Sequence, residues 1–322
     1  MHILLERPHS TKMPQNKIHT NPSIKNFSGS ALPPFTFSLR TIACERHPTR
    51  NEDSVLVDER TGLVAVFDGV GGSAAGEIAS QTAHYAALQQ WRRRLRQFQP
   101  GRKVLTIPEA SAQANFCGLL EELIYDADDQ VRTEGARRAG TDDLATTVAL
   151  AAISRQARAG HYTLYYAHVG DSRIYLAREK EPMQRLTKDD GLLAKLVENR
   201  IIDEENALRI DQAQTAGQLS DTELSYFRLR GGITQALGGP LPPTIHIDEI
   251  SIQPGDRVLL CTDGVHDNLT DEEIEHILRS TPRDTTAREL VRHSLNRSHE
   301  SRSATIRAKP DDMSAVVITC RF

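Results

Sequence analysis

Residues 62–98 read GLVAVFDGVGGSAAGEIASQTAHYAALQQWRRRLRQF. The stretch opens on a nearly continuous apolar run that reads as a strand, and Asp68-Gly69 stops it with residues that favour a turn. From Ala75 to Phe98 the pattern turns helical, until Pro100-Gly101 breaks it. Upstream, FTFSLRTIA (35–43) and DSVLVD (53–58) are strands; downstream, a second helical stretch runs from Pro108 and makes a helix pair with the first. LATTVALAAIS (144–154), YTLYYAHVG (162–170) and SRIYLAR (172–178) return to strand, and the short VGDSR turn predicts a hairpin between the last two. Helix-like DDGLLAKLVENRI (189–201) leads into a polar segment at 203–230. Strands IHIDEISI (245–252) and RVLLCTDGV (257–265), helices at 270–280 and 285–295, and the strand MSAVVITCRF (313–322) close the chain.

Groups of strands punctuated by groups of helices, without βαβ alternation, exclude a doubly wound parallel sheet. They predict an α+β fold, a β-sandwich flanked by antiparallel helix pairs in α-β-β-α layers. Residues 1–34 carry Pro8, Pro14, Pro22, Pro33 and Pro34 with no apolar period, so a mobile tail is expected there, with one domain over 35–322.

The 322 residues are 39% hydrophobic and 25% charged, the composition of a folded chain, and the net charge of −4 excludes a broadly basic nucleic-acid binder. No apolar run reaches the roughly 18 residues of a spanning helix, so no membrane partner is expected. Cys44, Cys117, Cys261 and Cys320 are scattered without metal or disulfide spacing, and read as thiols of a cytoplasmic protein.

Acidic residues recur where apolar strands meet turns: RNEDS (50–54), FDGVGG (67–72), VGDSR (169–173), CTDGV (261–265) and PDDMS (310–314). A single Asp-Gly after a strand is ordinary turn chemistry. Five such turns gathered at one sheet edge would repel one another unless a cation sat among them, and oxygen-only donors suit Mg²⁺ or Mn²⁺. Two ions sharing a carboxylate would make a water acidic enough to attack near neutral pH, which is hydrolase chemistry.

In chain order, FDGVGGSAAGEIAS, VGDSRIYL, LTKDD, GGITQALGG, CTDGVHD and DDMSAVVI resemble the motifs of metal-dependent protein phosphatases of the 2C type, in a bacterial-like form, over about Phe37 to Arg321. The resemblance implies hydrolysis of phosphoserine and phosphothreonine in proteins, the targets of a serine/threonine kinase, with two Mn²⁺ or Mg²⁺ ions and a third, weaker one. It implies Asp68 as the bridging ligand, with Asp263 and Asp311 beside it as the catalytic carboxylates. Gly69 would offer its carbonyl, Glu52 would act through water, and Asp171 with Asp263 would hold the third ion. Asp53, Asp267 and Asp312 would support these ligands, and residues about 199–230 would form a flap beside the site.

The chain departs from the family pattern at several points. Pro48 stands where an arginine commonly holds substrate phosphate, leaving Arg50, or alternatively Arg46, for that task; Arg50 is the nearer if the segment is extended. Val70 and Ser73 stand where histidines occur, so the leaving group would take its proton from water or another residue. Asp312 and Asp190 replace Asn and His. Two readings compete with the phosphatase: a catalytically silent module that uses the sandwich to hold a partner, and a hydrolase of small phosphomonoesters. The run WRRRLR is read as a solvated helix end, and GVGGSAAG fails dinucleotide spacing at Ala74.

Overall fold

The computed structural model describes residues 33–70, 75–109, 115–138, 144–156 and 160–322; the tail expected at the N-terminus falls, up to residue 32, outside them, as does Ser73. In chain order the first half comprises β1 (Phe35–Ile42), β2 (Asp53–Asp58), β3 (Leu63–Val70), α1 (Ala75–Phe98), α2 (Phe116–Arg137), β4 (Ala145–Thr146), β5 (Val148–Arg155) and β6 (Tyr162–Val169). There follow β7 (Arg173–Ala177), β8 (Gln184–Arg185), α3 (Leu192–Glu198), α4 (Glu204–Asp211) and α5 (Asp221–Leu229). The chain ends with β9 (His246–Ile252), β10 (Arg257–Cys261), α6 (Asp263–His266), α7 (Asp271–Ser280), α8 (Thr286–Ser298) and β11 (Met313–Cys320).

One sheet runs β1-β11-β10-β7-β8 and the other β2-β3-β5-β6-β9, with β4 pairing β3; the strand pairs are antiparallel. The period of two along β3 explains its unbroken apolar run. Leu63, Ala65 and Phe67 pack toward α1 and α2, while Val64 and Val66 pack between the sheets against Leu260, Val316 and Ile318. Both faces of the strand are covered. On the far side, Leu259, Val265, Val317 and Leu290 form a third apolar layer under α7 and α8. The α-β-β-α layering expected from the sequence is the fold observed.

Helix α1 lies close on its sheet because Ala79, Ala83 and Ala87 recur every fourth residue on its buried face, ahead of Trp91 and Leu95. Trp91 is fully buried, and its Nε1–H donates to Thr61 Oγ1 at 2.9 Å, so the indole's polar atom is satisfied. No helix among the described residues is long and apolar enough to cross a membrane.

Three local expectations are corrected. The second helix begins at Phe116, where the Asn115 side chain accepts the Gly118 N–H at 2.9 Å, rather than at Pro108. VGDSR joins no hairpin: β6 pairs β5 and β9 in one sheet, β7 pairs β10 and β8 in the other, and the turn carries the chain across the sandwich. Gly170 makes that crossing at φ +97°, with Thr147 so near that a Cβ would stand 2.7 Å from it. Alternation of residue type reports a turn but not whether the strands beyond it share a sheet. Finally, the strand read through RVLLCTDGV stops at Cys261, and Asp263 opens the single turn α6.

Candidate metal centre

The alternation that builds the core also aims the acidic residues. On β3 the even positions Val64 and Val66 face the other sheet, so Asp68 continues that face to the end of the sandwich. Asp53 is its register partner on β2. Thr262 and Ser314 continue the inward faces of β10 and β11 at the same end, where Thr262 Oγ1 donates to Asp53 Oδ2 at 2.8 Å and accepts the Ser314 N–H at 3.0 Å. Asp53 therefore ties the two sheets together at their open edge. The crossing turn adds Asp171, α6 begins with Asp263, and Asp311 precedes β11.

These carboxylates act on one another. Burial, then the charges of Asp263, Asp53, Asp171 and Asp311, push the Asp68 carboxyl well above the ordinary carboxylate range. Burial, then Asp263 and Asp189, do the same to Asp171, and burial raises Asp263 although Lys309 opposes it. Five of the sequence-predicted residues are thus brought together. Glu52 stands to one side: its carboxylate lies 3.2 Å from Arg50 Nη2, and burial raises its pKa despite that guanidinium.

Glycine is required where β3 meets α1. A Cβ on Gly69 would stand 2.1 Å from the Gly76 carbonyl oxygen and 2.6 Å from that of Glu52, and one on Gly76 would stand 3.1 Å from the Glu52 carboxyl carbon. Two backbones and a glutamate share a space that admits no side chain.

The supporting residues have definite tasks. Both oxygens of Asp312 accept backbone N–H groups, Oδ1 from Cys44 at 2.5 Å and Oδ2 from Glu52 at 2.6 Å, so this carboxylate fixes the loop that carries Glu52. An asparagine has a single side-chain oxygen to offer the two donors. Asp190 Oδ2 accepts the Gly170 N–H at 2.9 Å, and its Oδ1 lies 2.9 Å from His246 Nε2. His47, Glu52 and Asp312 each have a ligand-type atom within 4.8 Å of the others, although His47 Nδ1 also lies 2.9 Å from the Arg50 carbonyl. The segment from Cys44 to Arg50 is not extended: His47 N–H bonds the Cys44 carbonyl and Arg50 N–H the His47 carbonyl, two successive turns around Pro48. Distance along an extended chain therefore does not separate Arg46 from Arg50; what distinguishes Arg50 is its contact with Glu52.

Four cations, Lys309, Arg230, Arg173 and Arg307, escaped the sequence reading. The Lys309 ammonium contacts Asp263 Oδ2, Asp267 Oδ2 at 2.9 Å and Asp311 Oδ2 at 3.1 Å. Burial disfavours its charge, yet Asp263, Asp267 and Asp311 hold its pKa well above the ordinary value. Burial likewise works against an ionised Asp267, but Arg230 and Lys309 outweigh it and hold the carboxyl well below its usual range. Arg173, with its side chain 3% exposed, forks onto Asp189 at 2.6–3.1 Å and reaches Asp211 at the end of α4. Arg307 is fully buried and donates to the carbonyls of Asp211, Ala213, His266 and Leu269. A lysine or arginine near a turn carries no sequence signal that would reveal such contacts.

The donor set fits a divalent cation. It is all oxygen, the carboxylates repel one another, and the site already accommodates positive charge, since an ammonium rests among three of them. Because Lys309 engages oxygens of Asp263 and Asp311, Lys309→Met should tighten Mn²⁺ binding roughly three- to tenfold, the scale of a part-exposed ion pair. Calorimetric titration of Mn²⁺ into both proteins checks this; weaker binding to the variant would show that Lys309 arranges the carboxylates for the ion.

A family model described as protein phosphatase 2C matches residues 37–303. The serine/threonine protein phosphatase PstP of Mycobacterium tuberculosis is 32% identical over 246 residues, which is 76% of this chain but 39% of the relative, so the chain spans well under half of that protein. Protein phosphatase PhpP of Streptococcus pneumoniae is 28% identical over 236 residues, 73% of this chain and 80% of its own. The crystal structure of M. tuberculosis PstP/Ppp has the same fold, with a TM-score of 0.65 at 24% identity over 89% of this chain and 99% of that one. The catalytic domain of PstP in complex with two manganese ions gives a TM-score of 0.62 at 26% identity, again over 89% and 99%. With the family match extending over most of its length and the layered sandwich observed, this chain belongs to the protein phosphatase 2C family.

Proposed function

We propose that this protein hydrolyses phosphoserine and phosphothreonine monoesters in proteins with the help of two Mn²⁺ or Mg²⁺ ions. The observation that carries the reading is the convergence of Asp68, Asp171, Asp263 and Asp311 at the open end of the sandwich, where their charges raise one another's pKa values or are met by Lys309. Asp68, the Gly69 carbonyl, Glu52, Asp263 and Asp311 would hold the two ions, and Asp171 with Asp263 a third. Asp68, Asp263 and Asp311 are the catalytic carboxylates in this reading. Bound there, the ions would supply Lewis acidity and a water that loses its proton near neutral pH. Asp53 would keep the sheets in register below the ligands, Asp312 would fix the Glu52 loop, and Asp267 would anchor Lys309. Residues 35–322 form the catalytic domain in this reading, with 199–230 as its flap.

A silent binding module has no need of these carboxylates, whose mutual repulsion disfavours the metal-free fold. Small phosphomonoesters would use the same chemistry as phosphoproteins. Purified protein in Mn²⁺ should therefore be assayed on phosphoserine and phosphothreonine peptides beside p-nitrophenyl phosphate. Higher kcat/KM on the peptides is expected, and turnover of the small ester alone would favour the small-ester reading. Substrates would be the products of a serine/threonine kinase. The free cysteines Cys44, Cys117, Cys261 and Cys320 support placing the protein in the cytoplasm.

Arg50 is proposed to hold the substrate phosphate, with Arg46 as the alternative. Its guanidinium stands against Glu52, its side chain is 30% exposed, and a forked pair of donors matches a phosphate in a way an ammonium does not. Arg50→Lys should raise KM for a phosphopeptide several-fold and change kcat less, while Arg46→Lys changes little. Steady-state kinetics with the opposite ranking would reassign the phosphate contact to Arg46.

A further inference from the structure

Beside the carboxylate cluster lies a cleft of about 430 Å³, between α5 and the loop that leads into β11. Its wall includes Asp267 and Lys309, whose ammonium also touches Asp263 and Asp311, so the cleft shares Lys309 with the candidate metal centre. Leu224 and Ile306 line its sides. Arg228 and Arg302 line it as well; both are exposed, and neither has a carboxylate within ion-pair distance among the described residues. The one acid in the wall, Asp267, is already neutralised by Lys309 at 2.9 Å and Arg230 at 3.4 Å. Elsewhere on the surface, arginines commonly find acidic partners: Arg94 with Glu122, Arg209 with Glu223, Arg279 with Glu275. The cleft thus presents two uncommitted guanidinium groups beside the apolar side chains of Leu224 and Ile306.

We infer that this cleft is a specificity subsite for acidic residues flanking the phosphorylated side chain of a protein substrate, with Arg228 and Arg302 as the residues that read them. The inference deepens the phosphatase reading and rests on it. Charge complementarity selects the occupant: two unpaired arginines attract carboxylates, and Leu224 and Ile306 offer surface for the stems of Glu side chains. The chain's own residues 1–32 are a poor occupant, since Arg7, Lys12, Lys17 and Lys25 outnumber Glu6.

The test uses the full chain with Mn²⁺ and two phosphoserine peptides that differ only in carrying Glu or Ala at the flanking positions. The acidic peptide should have the higher kcat/KM, by roughly 3- to 10-fold for two part-exposed ion pairs. That preference should shrink toward unity in about 0.5 M salt, where the screening length is only a few ångströms. Arg228→Glu with Arg302→Glu should abolish it and favour a Lys-flanked peptide instead. Equal kcat/KM for the acidic and neutral peptides, or a preference that the double variant leaves intact, overturns the assignment. Fluorescence anisotropy of the same labelled peptides reads the cleft independently of turnover. Tighter binding of the acidic peptide without hydrolysis would sink the phosphatase reading and keep the cleft, whereas equal binding with hydrolysis would do the reverse.

Discussion

Asp68→Asn is expected to lower phosphopeptide turnover by on the order of 10²- to 10⁴-fold while leaving the fold intact. The substitution keeps the side chain's size and its place on the inward face of β3, and removes one negative charge from the middle of the cluster. Burial and four neighbouring carboxylates raise the Asp68 pKa above its unfolded value, so ionised Asp68 opposes folding of the metal-free chain at pH values above the unfolded pKa. The variant should therefore melt at the same or a higher temperature than the parent without metal, and gain less from added Mn²⁺. Those two shifts separate a ligand from a structural residue. A variant that is inactive because it is unfolded would melt lower in both conditions, and one that keeps most of its turnover would remove Asp68 from the centre.

Arg307→Ala is expected to cost about 3 to 5 kcal/mol of stability. The guanidinium is fully buried, and burial lowers its pKa to about 10, still far enough above neutrality to keep it charged. It offers its donors to carbonyls at two places, Asp211 and Ala213 at the end of α4, and His266 and Leu269 around the turn that begins with Asp263. Truncation leaves those buried acceptors without partners and uncouples the proposed flap from the carboxylate cluster. Arg307→Lys restores the charge but not the fork, so it should recover only part of the loss. Thermal melting of the three proteins checks the order; a variant within about 0.5 kcal/mol of the parent would show that water satisfies these carbonyls as well as the arginine does.

Much of the fold was legible because the two periods are clean. The run at 63–67, the helix from Ala75 and the closing strand MSAVVITC stand close to where the pattern places them. The crossing at VGDSR was not legible, because a short Gly-Asp turn reads alike whether its strands pair or part. The early start given to α2 has a similar cause: helical composition runs upstream of Asn115, and only the cap marks the true first turn. At the site, the acidic turns were visible as residues but their tasks were not. Composition and spacing alone do not distinguish Asp312, which binds two backbone N–H groups, from Asp311, which meets Lys309; only the motif resemblance gave them different expected tasks. The family match ends at residue 303, so the place of both rests on β11 returning between β1 and β10. Lys309 and Arg307 were invisible because most of their partners lie far off in the chain, Asp263 at 46 residues from Lys309 and the carbonyls of Leu269 and Asp211 at 38 and 96 from Arg307.

The most direct measurement follows phosphopeptide hydrolysis as Mn²⁺ is titrated into chelator-stripped protein, with ion binding read by calorimetry on the same sample. The carboxylate cluster predicts no turnover without the ion, binding of two or more ions per chain, and activity that returns in step with their occupancy. Full turnover in excess chelator, or activity unrelated to bound Mn²⁺, would contradict it.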